Sequence, residues 1–414
     1  MKNVWILNHY ATENYFSEGG RHYWFTKYLK KKGYRVTIFC ANTRHNSNDS
    51  IEVNNSNFVE KVINQIPFVF VKSTNYQRNN HKRILNILSF TIRLLRVAKE
   101  YKNKNGRPDI ILASSVHPLT LVAGIYIAKK FKVPCISEVR DLWPESIVAY
   151  GILKEKNLLS QIMYMGEKWI YKKSESIIMT WEGGYDYVKN KGWFDKINKS
   201  KIHHISNGVV INEFNENSEN FIVDDEDLDD YSLKNFVYTG SIRKVNNLRL
   251  LVEAGKIIQN RGFDDIKILI YGDGEERESL ELLVHKYKLN NVAFKGKIPK
   301  KYIPNILKNS YATLLHNTST KLDKYGQSQN KFYEYLAAGR PIIQTYFTGY
   351  SVIEKEDCGI CIQNQKPEKI AESIINMASK ESEASVKGEN AKKIARNYDF
   401  KILTDKLINI IEQY

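Results

Sequence analysis

Apolar residues fall into short runs separated by longer stretches in which they recur every three to four positions, and the two patterns alternate along the chain. VWILNHY, YRVTIFCA, PDIILASS, VPCISEVR, SIIMTW and IHHIS read as strands, with helices near residues 19–32, from about 82 to 104, and after PDIILASS. A second series, NFVYTG, IKILIYGDG, NVAFKGK, YATLLHN, PIIQTY and CGICIQN, repeats the rhythm with helices between its members. Strands alternating with helices predict a parallel sheet covered on its faces. Between the two series, NENSENFIVDDEDLDDYSLKN is acidic and lacks periodicity, which predicts a linker or exposed loop.

A chain of 414 residues is too long for one compact core. The pattern therefore predicts an α/β protein of two doubly wound, Rossmann-like domains facing a central cleft. They span residues 1–214 and 215–397, with a last helix at about 398–414 packing back on the first. Ligands of such sheets bind outside the carboxyl ends of the strands, so the loops after each strand hold the candidates.

Charge separates the two halves. Residues 1–200 hold 32 Lys and Arg against 16 Asp and Glu, residues 201–414 hold 30 of each, and the net charge is +16. A basic first half favours anionic partners such as phosphates, nucleic acid or an acidic bilayer surface. Four cysteines are too few for a disulfide framework. Cys358 and Cys361 are spaced CxxC but have no second pair to complete a zinc site, so a turn leading into a strand is expected there. MKNVWILNHY enters a strand without the apolar core of a signal peptide. The longest apolar stretch, LTLVAGIYIA, is about half of the roughly 20 residues that span a bilayer. A cytoplasmic protein that does not cross a membrane is expected.

In NHYATENYFSEGGRHYWF the pair Gly19 and Gly20 opens a helix, where missing side chains let a ligand approach the backbone and free N–H groups favour an anion. His117 falls just past a strand end and precedes Pro118, which suits a helix start. Its imidazole suits a sugar hydroxyl or a phosphate. ISEVRDLWPES sets Glu138, Arg140, Asp141 and Trp143 after the next strand, where carboxylates could accept from sugar hydroxyls and the indole could cover a ring. An Arg–carboxylate pair that braces the loop is the alternative.

In the second half, YTGSIRKVNNL places Gly240, Arg243 and Lys244 where a diphosphate could lie. IYGDGEERESL repeats the glycine arrangement at Gly272 and Gly274, and FKGKIP offers the backbone near Ile298 to a base edge. In YGQSQNKFYEYLAAGRPII a helix is predicted to start near Ser328 and stop at Gly339. Backbone N–H groups from Gln327, Ser328, Gln329 and Asn330, together with the Lys331 ammonium, would face an anion there. Glu334, one turn on, would accept two hydroxyls at once. A diphosphate beside a ribose has that shape.

The order of GGR, VHPL, EVRDLWPES, SNGV, GDGEE, FKGKIP and SQNKFYEYLAAGRPII resembles the retaining nucleotide-sugar glycosyltransferases of family 4, which have the GT-B fold. It is most similar to the bacterial branch that builds O-antigen and capsule, often labelled L-fucosamine transferases. The resemblance implies that Glu334 is the second glutamate of an E-x7-E motif and holds the donor ribose. The first glutamate falls on Gly326, so its contact to the transferred sugar would pass to backbone N–H groups around Gln327 to Asn330. The family's diphosphate-binding Arg and Lys fall on Ser241 and Asn247, and Arg243, Lys244 and Lys331 are substitutes on chemical grounds. The family's His-Asp pair appears as Arg140 and Asp141, and the Asp of its N-G-V-D segment is Val210.

Retaining transfer, as the resemblance implies it, proceeds on one face: the diphosphate leaves, an oxocarbenium-like species forms, and the departing phosphate assists the incoming hydroxyl. His117, Arg243, Lys244 and Lys331 would carry catalysis by positioning and charge stabilisation, with no metal required if cations neutralise the leaving group. DDEDLDD reads as solvated acid. The implied donor is a UDP-sugar, carrying N-acetyl-L-fucosamine or another N-acetylhexosamine, and the implied acceptor is a saccharide on undecaprenyl diphosphate. HKRILNILSFTIRLLRVAKEYKNKNGR alternates leucine and isoleucine with Arg93, Arg96 and Lys99, as an interfacial helix would. It predicts peripheral attachment to the anionic inner face of the cytoplasmic membrane. Three other readings compete: a UDP-sugar 2-epimerase-like enzyme of the same architecture, a basic RNA-binding protein, and an inactive relative kept as a partner subunit. No nucleic-acid module is recognisable, and nucleic acid is not an expected partner.

Overall fold

The computed structural model describes residues 1–45, 47, 49–76 and 81–414. The chain divides into two compact units, Met1–Ser206 with Phe400–Tyr414, and Asn207–Asp399.

The first unit is built on an eight-stranded sheet of β1 (Asn3–Leu7), β2 (Arg35–Ala41), β3 (Phe58–Ile63), β4 (Ile66–Val71), β5 (Ile110–Ser114), β6 (Cys135–Val139), β7 (Ser176–Met179) and β8 (Ile202–His204). Its order is β3-β4-β2-β1-β5-β6-β7-β8. Every residue of β1, β5, β6 and β7 is buried, as helices on both faces of a parallel sheet require. The order reverses between β1 and β5, so the loops after these two strands flank a switch point. The antiparallel β3–β4 hairpin is absent from the predicted pattern. FVEKVI carries exposed Glu60 and Lys61 and lacks the apolar run of an interior strand. The closing helix, Phe400–Ile411, packs on the Arg21–Lys31 helix, with the Phe25 and Phe400 rings 5.5 Å apart.

The second unit has a six-stranded parallel sheet of β9 (Lys234–Thr239), β10 (Ile266–Tyr271), β11 (Val292–Gly296), β12 (Ala312–Leu315), β13 (Ile342–Gln344) and β14 (Gly359–Cys361), in the order β11-β10-β9-β12-β13-β14. It starts at Asn207, not after Phe214, because Ile211–Asn220 is a helix whose Phe214 lies in the core of this unit. The acidic stretch is likewise not a solvated linker. Asp225 accepts from Lys295 (2.6 Å) and from the Tyr271 hydroxyl (2.7 Å), and Asp227 pairs with Lys267 and Lys295, so the acids pin the segment to β10 and β11. Cys358 is buried in the turn before β14 and Cys361 ends that strand; burial pushes both thiols up, to about 12 and about 11. Among the described residues no helix is long and apolar enough to cross a membrane.

Candidate functional site

In the second unit the predicted helix begins at Asn330, two residues later than Ser328, and ends at Ala338 with Gly339 in a left-handed conformation (φ 68°). No side chain caps its start at Gln329. The N–H groups of the first turn are therefore available to an anion. Ser328 is held in place from the SNGV segment: its Oγ accepts from the Asn207 N–H (2.9 Å) and its carbonyl from Asn207 Nδ2 (2.7 Å). Gln329 donates to the Tyr346 hydroxyl (2.6 Å), and Gln327 Oε1 lies 3.4 Å from the Gln329 N–H.

Lys331 is the unusual member. Its ammonium nitrogen is buried, has no hydrogen-bond acceptor among the described residues, and lies 3.9 Å from the centre of the Tyr238 ring. Burial drives the lysine down to about 7, with Glu334 opposing the shift and Arg243 adding to it. Gly240 makes the space: at φ 146°, it would place a Cβ only 2.7 Å from Lys331 Nζ. Glu334 does not turn into the core. Its side chain is 21% exposed, and the carboxylate lies 3.6 Å from the flexible, exposed Lys300. Arg243 and Lys244 are exposed just past β9; Arg243 Nε donates to Ser241 Oγ (3.1 Å), and the Lys244 N–H faces Glu275 Oε1 at 3.4 Å. Ile298, two residues past β11, is partly buried against the core. The structure thus gathers Gly240, Arg243, Lys331 and Glu334 in one place.

Gly272 and Gly274 serve a different purpose from the one predicted. The backbone they admit is the protein's own: a Cβ on Gly272 would fall 1.8 Å from the Gly240 carbonyl oxygen, and one on Gly274 2.2 Å from that of Ile242. These contacts lock the loops after β9 and β10 together. Gly272→Ala must part them, and we expect a loss of about 1–3 kcal/mol in denaturant unfolding, with weaker ligand binding because Gly240 moves. A cavity of about 700 Å³ opens at the opposite end of the Asn330–Ala338 helix, bounded by Lys308, Gly339, Arg340 and Lys392, and none of the predicted residues lines it.

In the first unit Gly20 caps the Arg21–Lys31 helix at φ 91°, where a Cβ would meet Asn14 Nδ2 at 2.2 Å; Gly19 has only ordinary contacts. Glu138 lies inside β6, not after it, and is fully buried. Its oxygens accept from Arg21 Nε (2.8 Å), His22 Nε2 (2.8 Å) and Ser114 Oγ (2.6 Å). Asn8 fixes the histidine tautomer: its Oδ1 takes the Tyr10 N–H, so its Nδ2 donates to His22 Nδ1 and leaves the proton on Nε2. Burial alone would raise the Glu138 carboxyl, but Arg21, His22 and Arg140 outweigh it and hold the group well below the usual range. Arg21 also donates to the Ile205 and Ser206 carbonyls. Glu138 therefore braces β6, the Arg21–Lys31 helix and the end of the unit, and is not presented to a sugar.

His117 does sit at a helix start, as N-cap before Pro118, and is buried. Its Nε2 is 2.8 Å from His9 Nδ1, and burial, with Arg83, lowers it to about 3. Two neutral imidazoles share one proton across that contact. His117 Nδ1 has no partner among the described residues. Arg140 donates its backbone N–H to the Ser115 hydroxyl (2.9 Å) while its Nε is buried without an acceptor among the described residues, and Asp141 is exposed beside it. The sequence reading missed Arg21, His22, His9 and Tyr238. Only His9, in a strand-end loop, carried a signal that could have been used.

Two family models match the chain, "Glycosyltransferase Family 4" over residues 23–213 and "Glycosyl transferases group 1" over residues 226–394. The chain is a glycosyltransferase of the GT-B type. An uncharacterized glycosyltransferase of Methanocaldococcus jannaschii is 22% identical over 248 residues, which is 59% of this chain and 60% of that relative. The glycosyltransferase shares its fold with a sucrose-phosphate synthase of Thermosynechococcus elongatus, at a TM-score of 0.73 and 15% identity over 100% of this chain and 99% of that one. It also shares it with HepE of Anabaena, solved in complex with UDP, at 0.68 and 12% over 100% of both chains. The two Rossmann-like units with parallel sheets are the GT-B fold expected from the motifs.

Proposed function

We propose that this glycosyltransferase is a hexosyltransferase that moves a sugar from a UDP-sugar to a lipid-linked saccharide with retention of configuration. The observation that carries the donor half is the buried, unpartnered Lys331 ammonium at an uncapped helix start, beside Arg243 and one turn from Glu334. Cations and amide hydrogens there suit a diphosphate, and a partly exposed carboxylate suits the ribose hydroxyls. HepE, of the same fold, is described bound to UDP. With Arg243 and Lys331 on the leaving phosphate no metal need be recruited, and EDTA is expected to leave turnover intact. Glu334→Ala is expected to weaken UDP binding about tenfold, as loss of hydrogen bonds to a charged group predicts. Calorimetric titration measures it; unchanged affinity would remove Glu334 from the site, and RNA bound in preference to UDP would favour the nucleic-acid reading.

The acceptor half rests on the first unit. His117 Nδ1 and Arg140 Nε, both buried and without a hydrogen-bond partner among the described residues, lie in neighbouring loops past β5 and β6, where an acceptor hydroxyl or phosphate that reached them would find a donor and a charge. The basic His81–Asn105 helix exposes Ile84, Leu88 and Ile92 opposite its buried stripe of Phe90, Leu94 and Val97. We take it to attach the protein to the anionic inner face of the cytoplasmic membrane, where undecaprenyl diphosphate-linked saccharides of capsule or O-antigen assembly would be met. About 1 M salt, where the Debye length is only about 3 Å, should release it from anionic vesicles. N-acetyl-L-fucosamine or another N-acetylhexosamine is the proposed cargo; mass-read screening of nucleotide sugars against a lipid-linked acceptor decides it.

A further inference from the structure

The Leu158–Lys173 helix is apolar on two opposite faces. Ser160, Tyr164, Glu167, Ile170 and Tyr171 are buried, while Leu158 (77%), Leu159 (53%), Ile162 (56%) and Met165 (71%) are exposed on the other side. A water-facing helix has one apolar stripe; a second needs an apolar neighbour. The helix does not stand alone. It packs beside the Pro118–Phe131 helix, which packs in turn on the His81–Asn105 helix. On that middle helix Tyr126 is 56% exposed, with its ring 5.9 Å from Trp169.

Both outer helices point the same end at the same place. Asn86 donates to Thr43 Oγ1 and the Thr74 carbonyl, just past β2 and β4, and Tyr164 donates to Glu145, on the loop side of β6. Apart from Leu95, the exposed large apolar residues of both helices are thus in their first halves, at the carboxyl end of the sheet, with the loops of His117 and Arg140 in the same layer. Lys154, Lys156, Lys168, Lys172 and Lys173 lie in or just before the second helix, against Glu155 at its entry and the buried Glu167. Lysine is depleted at protein–protein interfaces, whereas anionic headgroups complement it.

We infer that the Leu158–Lys173 helix is a second bilayer-inserting element, which together with the His81–Asn105 helix seats the first unit on an anionic leaflet at two ridges flanking the β5 and β6 loops. This rests on the membrane reading above and deepens it. The test is sedimentation of the full chain with phosphatidylglycerol vesicles, with phosphatidylcholine as control. Leu158→Ser with Ile162→Ser and Met165→Ser should weaken binding about tenfold or more, since each buried CH₂ supplies about 0.8 kcal/mol. These side chains are exposed, so the melting temperature should hold. Ile84→Ser with Leu88→Ser tests the first ridge. If only that variant loses binding, the membrane reading stands and the second ridge falls; if the wild type ignores the vesicles, both fall. A triple variant that keeps vesicle binding but changes from dimer to monomer in light scattering would assign the face to a second copy and overturn the inference.

Discussion

Lys331→Met is expected to lower UDP affinity roughly 100-fold, the upper end of what a charge-assisted contact of about 3 kcal/mol supplies. The same variant should be more stable than the wild type, because a thioether replaces a buried cation that has no acceptor among the described residues. Weaker binding with a firmer fold is the signature of a group kept for its ligand. Acidity gives an independent readout. With the lysine at about 7 in the empty protein, the unfolded chain binds more protons than the folded one from about pH 7 up to the ordinary lysine value, so stability rises with pH across that window. UDP works in the other sense: it favours the ammonium, binding takes up a proton, and affinity falls above pH 7 by at most about tenfold per unit. Titration in buffers of different ionisation heat reads that proton. Equal heats in every buffer would sink the assignment.

Glu138→Ala is expected to cost the first unit about 3–5 kcal/mol, because Arg21 stays buried without its counter-charge. The drop should appear as an earlier urea transition, and a paired Glu138→Leu, Arg21→Met variant should recover much of it. Had the carboxylate served the sugar, donor KM would respond instead. The acid limb has a definite sign. The folded Glu138 carboxyl lies well below its unfolded value of about 4.3, so its contribution is present above that value and lost as pH falls through it toward the folded value. His22, lowered mainly by burial, loses stability from about pH 6.5 downward, because the unfolded imidazole takes its proton first. Both trends run the same way, and the first unit should unravel in mild acid.

The βα rhythm was readable because each interior strand is a dense apolar run between periodic helices, and the KFYEYLAAG helix because a glycine marks its end. Burial of charged groups was not. Lysine and glutamate are exposed by default, and nothing local distinguishes Lys331 from its neighbours; its burial follows from the space left by Gly240, nearly a hundred residues away. Glu138 looked like a loop carboxylate until Arg21 and His22, from the start of the Arg21–Lys31 helix, closed on it. The acidic segment misled in the converse way: its composition suits solvent, but the lysines of β10 and β11 and the Tyr271 hydroxyl hold Asp225 and Asp227 down. Glycine pairs signalled close approach correctly, but not whether the visitor is a ligand or another turn of the same chain.

The hairpin at the margin of the larger sheet has a bearing on solubility. An open row of strand amides invites another molecule to add its own strand, and that is how ordered proteins begin to aggregate. Here the edge strand, β3, runs antiparallel to β4 and carries exposed Glu60 and Lys61 on its two faces, so a strand that added to it would have to accommodate charge on both sides.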